Sequence, residues 1–167
     1  MSSTLSRPGP PEPEIIVIGC DHAGYHLKAE IFQLLREMGY QVEDVGCHRP
    51  DVSVHYPLYG KKVVEVVLSR PRARGVLICG TGLGMSVIAN RFPGIRAALC
   101  HDVYTAEMSR RHNDANLLVL GGRVLSPDKA REIVKVWLTT PFEGGRHQER
   151  LELLEQLARE KPFFPES

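Results

Sequence analysis

Residues 75–84 read GVLICGTGLG, and the interpretation of the whole chain turns on this stretch. Residues 75–79 form a short, continuously apolar run, as a strand covered on both faces requires. Glycines follow at 80, 82 and 84, and residues 82–90 then carry a helical pattern. A strand that passes through a glycine turn into a helix is part of a parallel crossover unit. The same alternation extends in both directions. Residues 15–19 (IIVIG), 41–45, 95–100 (IRAALC) and 116–120 (NLLVL) read as further strands. Residues 25–38 place Leu27, Ile31, Leu34, Leu35 and Met38 at helical spacing, and Gly39 follows as a stop. Residues 57–68, 104–111 and about 145–160 are further helix candidates. Ser126-Pro127 supplies a cap and first turn for a helix over 128–138. The expected fold is α/β: one three-layer αβα sandwich, Rossmann-like, with about five parallel strands over residues 15–160. Residues 1–14, with Pro8, Pro10, Pro11 and Pro13, read as a disordered N-terminal leader, and residues 161–167 as a tail.

The bulk properties exclude several classes of function. With 167 residues, 43% of them hydrophobic and 25% charged, the chain has the make-up of an ordinary globular domain. A formal net charge of +1 gives no field for nucleic acid or an anionic membrane, so neither is an expected partner. No apolar run reaches the roughly 18–20 residues of a membrane span. Cys20, Cys47, Cys79 and Cys100 form no CxxC pair and no zinc-ribbon spacing, which suits a reducing, cytoplasmic protein with free thiols.

Ligands of open parallel sheets bind beyond the carboxyl ends of the strands. That rule selects residues 20–24, 79–84, 101–104 and 121–123. In the 79–84 loop, Gly80, Gly82 and Gly84 would let backbone amides approach an anion, and the following helix would favour a Cys79 thiolate. The alternative is a tight turn beside an inert thiol. Known anion loops do not fit. A nucleotide-phosphate loop needs Lys and Ser/Thr after its last glycine, but Met85-Ser86 follows Gly84. A phosphatase loop needs Arg where Met85 stands, and a dinucleotide fingerprint needs a different glycine spacing.

Three other segments carry candidate chemistry. Asp21 and His22 follow the first strand, where Asp21 could instead cap a helix. His112 and Asn113 lie in SRRHND, residues 109–114, which could equally be a solvated helix end. Arg146 and Arg150 lie four apart in EGGRHQER, residues 143–150, so a helix would point both guanidinium groups one way. Pairing with neighbouring glutamates is the plain alternative. His101-Asp102 reads as structural.

Together these segments resemble one family, the type B ribose-5-phosphate isomerases with the galactose- and allose-6-phosphate isomerases. The resemblance rests on GCDHAG at 19–24, LICGTGLGMS at 77–86 and GIRAALC at 94–100, with SRRHNDAN at 109–116 and EGGRHQER at 143–150. It implies a cofactor-free, metal-free aldose–ketose isomerase with a sugar-phosphate substrate. Cys79 would be the base. The amides of Gly80, Gly82 and Gly84, with Thr81, would hold the enediolate. His112 would open the sugar ring, and Asp21 and Asn113 would contact hydroxyls. His22, Arg146 and Arg150 would grip the phosphate. Tyr56 matches a family position, although His55 stands where the family often has Asp. The resemblance further implies a homodimer or dimer of dimers with shared sites. A six-carbon aldose phosphate is an alternative substrate. A non-catalytic phosphosugar sensor and a metal site built from His22, His101, His112 and Cys79 are alternatives of other kinds.

Overall fold

The run at residues 75–79 belongs to β3 (Ala73–Cys79), the central strand of a five-stranded sheet. The structure is a computed structural model that describes Pro13 and residues 15–160. β1 (Ile15–Cys20) and β5 (Leu117–Gly121) pair with β3 on either side, both in parallel. β2 (Val42–Asp44) and β4 (Ala97–Leu99) form the edges, giving the order β2-β1-β3-β5-β4. Every pairing is parallel, as the continuous apolar runs require.

Six α-helices accompany the strands: α1 (Tyr25–Glu37), α2 (Tyr56–Ser69), α3 (Leu83–Ala89), α4 (Val103–Arg111), α5 (Pro127–Thr139) and α6 (Arg146–Ala158). The two-residue period of the strands separates two cores. Ile16, Ile18, Val76, Ile78, Leu118 and Leu120 face α1, α4 and α5, packing on Ile31, Leu35, Ala106, Ile133 and Trp137. Val17, Leu77, Leu117 and Val119 face α2 and α3, packing on Val63, Val64, Val67, Met85 and Ala89. The expected three-layer sandwich is therefore the observed one.

Local chemistry sets the element ends. Ser126 accepts a hydrogen bond from the Lys129 amide at 3.2 Å, and Pro127 opens α5. Gly39 takes φ +87° just after α1. The strand expected over 95–100 is shorter. Asn116 Oδ1 accepts from the Arg96 amide at 2.9 Å and its Nδ2 donates to Gly94 O at 2.8 Å. This side chain takes the place of backbone partners, so β4 begins only at Ala97. Lys28 is buried, and its ammonium donates to both Asp44 oxygens at 2.8 Å and to Cys47 O at 2.7 Å. It ties α1 to β2 and to the loop that follows.

α6 differs from the other helices. It buries only His147 and Leu151 and leaves Leu153, Leu154 and Leu157 about half exposed. Among the described residues no helix is long and apolar enough to cross a membrane. The leader expected over 1–14 and the tail over 161–167 lie outside the described residues, apart from Pro13.

Trp137 is fully buried and is the only tryptophan in the chain. Trp137→Ala should lower unfolding stability by about 3–5 kcal/mol, the usual cost of an emptied aromatic site. Urea unfolding followed by far-UV circular dichroism checks this, and a midpoint unchanged from wild type would contradict the packing described.

Candidate active site

The winding of the sheet reverses between β1 and β3, because β2 lies outside β1 while the later strands lie beyond β3. Ligand crevices of such sheets open at this switch point, above the strand carboxyl ends. Cys20 pairs with Ile78 and Cys79 with Gly121, so residues 21–24, 80–84 and 121–123 emerge at one level. The Gly122 amide donates to Cys79 O at 2.8 Å, and the Arg123 amide to Gly80 O at 2.9 Å.

All four thiols are free and buried, yet their surroundings differ. Burial pushes the Cys20 and Cys100 thiols above the ordinary cysteine range, which keeps them as thiols. Cys47 lies against Cys20, with the sulfurs 3.9 Å apart. Cys79 is 5% exposed, and its Sγ accepts a hydrogen bond from the Gly82 amide at 3.2 Å. This contact holds the sulfur against the backbone of the glycine turn. The turn that provides this amide depends on Gly82, whose φ of +83° a side chain rarely adopts. Thr81 is exposed and its Oγ1 accepts from the Leu83 amide at 3.3 Å. Tyr56 covers the loop so closely that a Cβ at Gly84 would come within 2.6 Å of its ring.

The neighbouring loop adds a second set of groups. Asp21 Oδ1 accepts from the Gly24 amide at 3.0 Å, so the capping role is realised. Asp21 is 7% exposed. The Val54 amide donates to His22 Nδ1 at 3.1 Å. A neutral His22 must therefore carry its proton on Nε2, as a donor. Arg123 was not a candidate in the sequence. Its guanidinium lies 3.5 Å from where a Cβ of Gly80 would stand, which sets a cation against the glycine loop. The only sequence signal was its place just after a strand end. Asp102, by contrast, caps α4 through the Thr105 amide at 2.7 Å, the structural role expected of it.

The remaining candidates gather elsewhere. α4 returns from the carboxyl end of the sheet to its amino end, where His112 and Asn113 precede β5. The seven residues of β3 span about 20 Å, so His112 lies at the opposite end of the sheet from Cys79. His112 stacks on His147, with ring centroids 4.2 Å apart and planes at 10°. Glu143 stands beside both rings, its Oε2 being 3.4 Å from His147 Nε2 and 3.9 Å from His112 Nε2. Arg111 pairs with Glu143 and holds its carboxyl below the usual range, while the Glu143 amide donates to Arg111 O at 3.0 Å. Burial pushes His147 below its ordinary value, and His112 and Arg146 push the same way. This joint carries α6, on which Arg146 and Arg150 are exposed and make no salt bridge among the described residues. The sequence reading missed Glu143 and His147, whose importance lies in contacts with the end of α4.

The candidates therefore fall into two groups at opposite ends of the sheet. Cys79, Thr81, the glycine loop, Asp21, His22, Tyr56 and Arg123 occupy one end, and His112, Asn113, Arg146 and Arg150 the other. The metal set of His22, His101, His112 and Cys79 is not assembled, because His112 is remote from the rest. Among the described residues the metal-type ligands within 4.8 Å of one another are His112, Glu143 and His147.

Known proteins of the same shape and sequence give this arrangement a family. A ribose-5-phosphate isomerase B of Clostridium thermocellum superposes with a TM-score of 0.84 at 51% identity, covering 87% of this chain and 97% of its own. A Mycoplasma genitalium ribose-5-phosphate isomerase B, solved with bound ribulose-5-phosphate, superposes at 0.83 with 35% identity over 88% of this chain and 97% of its own. The Escherichia coli ribose-5-phosphate isomerase B is 45% identical over 139 residues, 83% of this chain and 93% of that protein. The sequence model of the ribose/galactose isomerases matches residues 16–154. Matched to them over most of its length in both sequence and shape, this chain belongs to the ribose/galactose isomerase family of sugar-phosphate isomerases.

Proposed function

We propose that the chain interconverts ribose 5-phosphate and ribulose 5-phosphate through a cis-enediolate, with Cys79 as the base. The observation that carries this reading is the Gly82 amide directed at Cys79 Sγ, in a loop whose glycine backbone can also meet an anionic ligand. In the direction of the ketose, the thiolate removes the proton from C2 and the resulting thiol returns it to C1, while a hydroxyl proton passes from O2 to O1. The intermediate carries its negative charge on the two oxygens, where the amides of Gly80, Gly82 and Gly84 and the Thr81 hydroxyl would stabilise it. Hydrogen moves only within the substrate, so the step calls for no redox cofactor.

The other groups have roles that suit their chemistry. His112 shuttles a proton between ring oxygen and hydroxyl to open the furanose. Asp21 and Asn113 contact sugar hydroxyls. His22 offers an Nε2 proton to the phosphate, which Arg146 and Arg150 grip with their forks. Arg123 adds a further cation beside the loop, and Tyr56 bounds the crevice. Phosphate binding lies away from the reacting carbons and can be used to position them.

One chain cannot bring these groups to one sugar, because a sheet about 20 Å deep separates them. A second copy supplies the missing half: His112, Asn113, Arg146 and Arg150 of one protomer meet Cys79 of its partner. The exposed Leu153, Leu154 and Leu157 of α6, and Leu83 and Val87 of α3 beside the catalytic loop, offer apolar surface for the contact. The active unit is a homodimer or a dimer of dimers. A reducing cytoplasm suits the free thiols, and the pentose phosphate pathway suits the substrate. Because the family includes galactose isomerases, a six-carbon aldose phosphate is the second reading. Comparing kcat/KM for five- and six-carbon phosphates separates the two.

Purified protein should isomerise ribose 5-phosphate with chelator present and no added cofactor. Cys79→Ala should cut kcat by about 10²–10⁴ while leaving substrate affinity near wild type, the usual share of a positioned base. Substantial residual turnover would overturn the base assignment. Gly82→Ala should lower kcat about tenfold or more, since it strains the turn that aims the amide at sulfur. Shared sites have their own signature. Cys79→Ala and His112→Ala chains, each inactive alone, should recover about a quarter of wild-type activity when unfolded and refolded together, because half the dimers are mixed and each has one intact site. Recovery no greater than the sum of the separate variants would count against sites shared between chains.

A further inference from the structure

A cavity of about 320 Å³ lies at the amino ends of the central strands, and nothing in the proposed reaction uses it. Its walls include Arg72, Arg74, Arg110, Asp114, Asn116 and Phe142. Arginines supply three of these six. Asp114 is the one carboxylate among the described residues that line the cavity, and it is already shared. Its Oδ1 pairs with Arg110 at 2.9 Å and its Oδ2 with Arg96 at 3.3 Å.

Two of the guanidinium groups are held here in an unusual way. Arg110 is only 3% exposed, and its Nε finds no hydrogen-bond partner among the described residues. Its Nη1 donates to Ala115 O at 2.6 Å. Among the described residues Arg74, half-buried on β3, donates to Leu138 O at a long 3.4 Å. Both groups lie over the ring of Trp137, at 5.7 Å for Arg74 and 6.0 Å for Arg110. Burial, with Arg110 as a neighbour, pulls Arg74 down to about 10, which still leaves it charged at neutral pH. Gathering like charges away from water opposes folding, and a bound anion would offset that cost.

We propose that this cavity binds a small tetrahedral oxyanion of the phosphate class, held by Arg74 and Arg110 and distinct from the sugar-phosphate site. A tetrahedral anion can accept from guanidinium forks that approach from different elements, whereas a planar carboxylate is matched by one fork. The volume lies at the lower end of small-ligand pockets, which run from about 300 to 1,000 Å³. The two cations come from β3 and from α4, so the tertiary fold assembles them. The inference does not rest on the isomerase reading.

The test uses the full chain carrying His22→Gln, Arg123→Gln, Arg146→Gln and Arg150→Gln, which removes the phosphate donors proposed for the active site. Titration calorimetry with inorganic phosphate should still detect a binding site in this background. Adding Arg74→Gln should weaken that binding about tenfold or more, the loss expected for a charge-assisted fork. Phosphate should also raise the Tm of the background protein and lose this effect when Arg74→Gln is added. If Arg74→Gln fails to fold, Arg74→Lys keeps the charge without the fork and should weaken phosphate binding measurably. Absence of phosphate binding in the background protein would overturn the proposal. So would binding that neither Arg74 substitution changes.

Discussion

Cys20 lies opposite Ile78 and Cys79 opposite Gly121 in the parallel ladders that flank β3. This register is the constraint on which the rest of the molecule depends. It brings three strands to an end at one level, so the loops after them meet. It also covers β3 on both faces, which is why its run is continuously apolar and why a thiol at its end is buried without being sealed off. A slip of one residue would turn Cys79 to the opposite face and separate it from Gly82.

The near-neutral formal charge of +1 conceals how unevenly charge is distributed. At the carboxyl end of the sheet, single cationic or donor groups stand among backbone amides. At the amino end, arginines gather: Arg74 and Arg110 around the cavity, Arg111 on Glu143, and Arg146 and Arg150 on α6. Local fields of this kind hold an anion through direct contact, where a net charge near zero would exert little pull from a distance.

Paired polar groups do the positioning between these ends. Lys28 satisfies its ammonium with Asp44 and Cys47 O, fixing the loop that leads to Val54 and thence to His22. Glu143 joins Arg111, His112 and His147, and so connects the end of α4 to the start of α6. Each is a short network whose members are paired, the condition under which buried polarity gives definite geometry. The link through Glu143 means that His112 and the start of α6, with Arg146, are carried as one unit.

The sequence by itself determined the parallel α/β sandwich, because strands covered on both faces must be short and continuously apolar and their helices must show one apolar stripe. It determined the glycine turn at 79–84 for a similar reason: local chemistry, glycines after a strand end, is written in adjacent residues. It also contained the motifs that carry the family. The shortening of β4 was hidden, since it depends on Asn116 reaching across to Arg96 and Gly94. Glu143, His147 and Arg123 were hidden because their significance lies in neighbours far along the chain. The separation of the candidate residues into two groups was decided only by tertiary structure. A parallel strand needs a helix to carry the chain back along the sheet, so residues that follow a strand closely and residues at the far end of the next helix lie on opposite sides of the molecule. Cys79 and His112 are separated by that geometry, however well their motifs read together in one line.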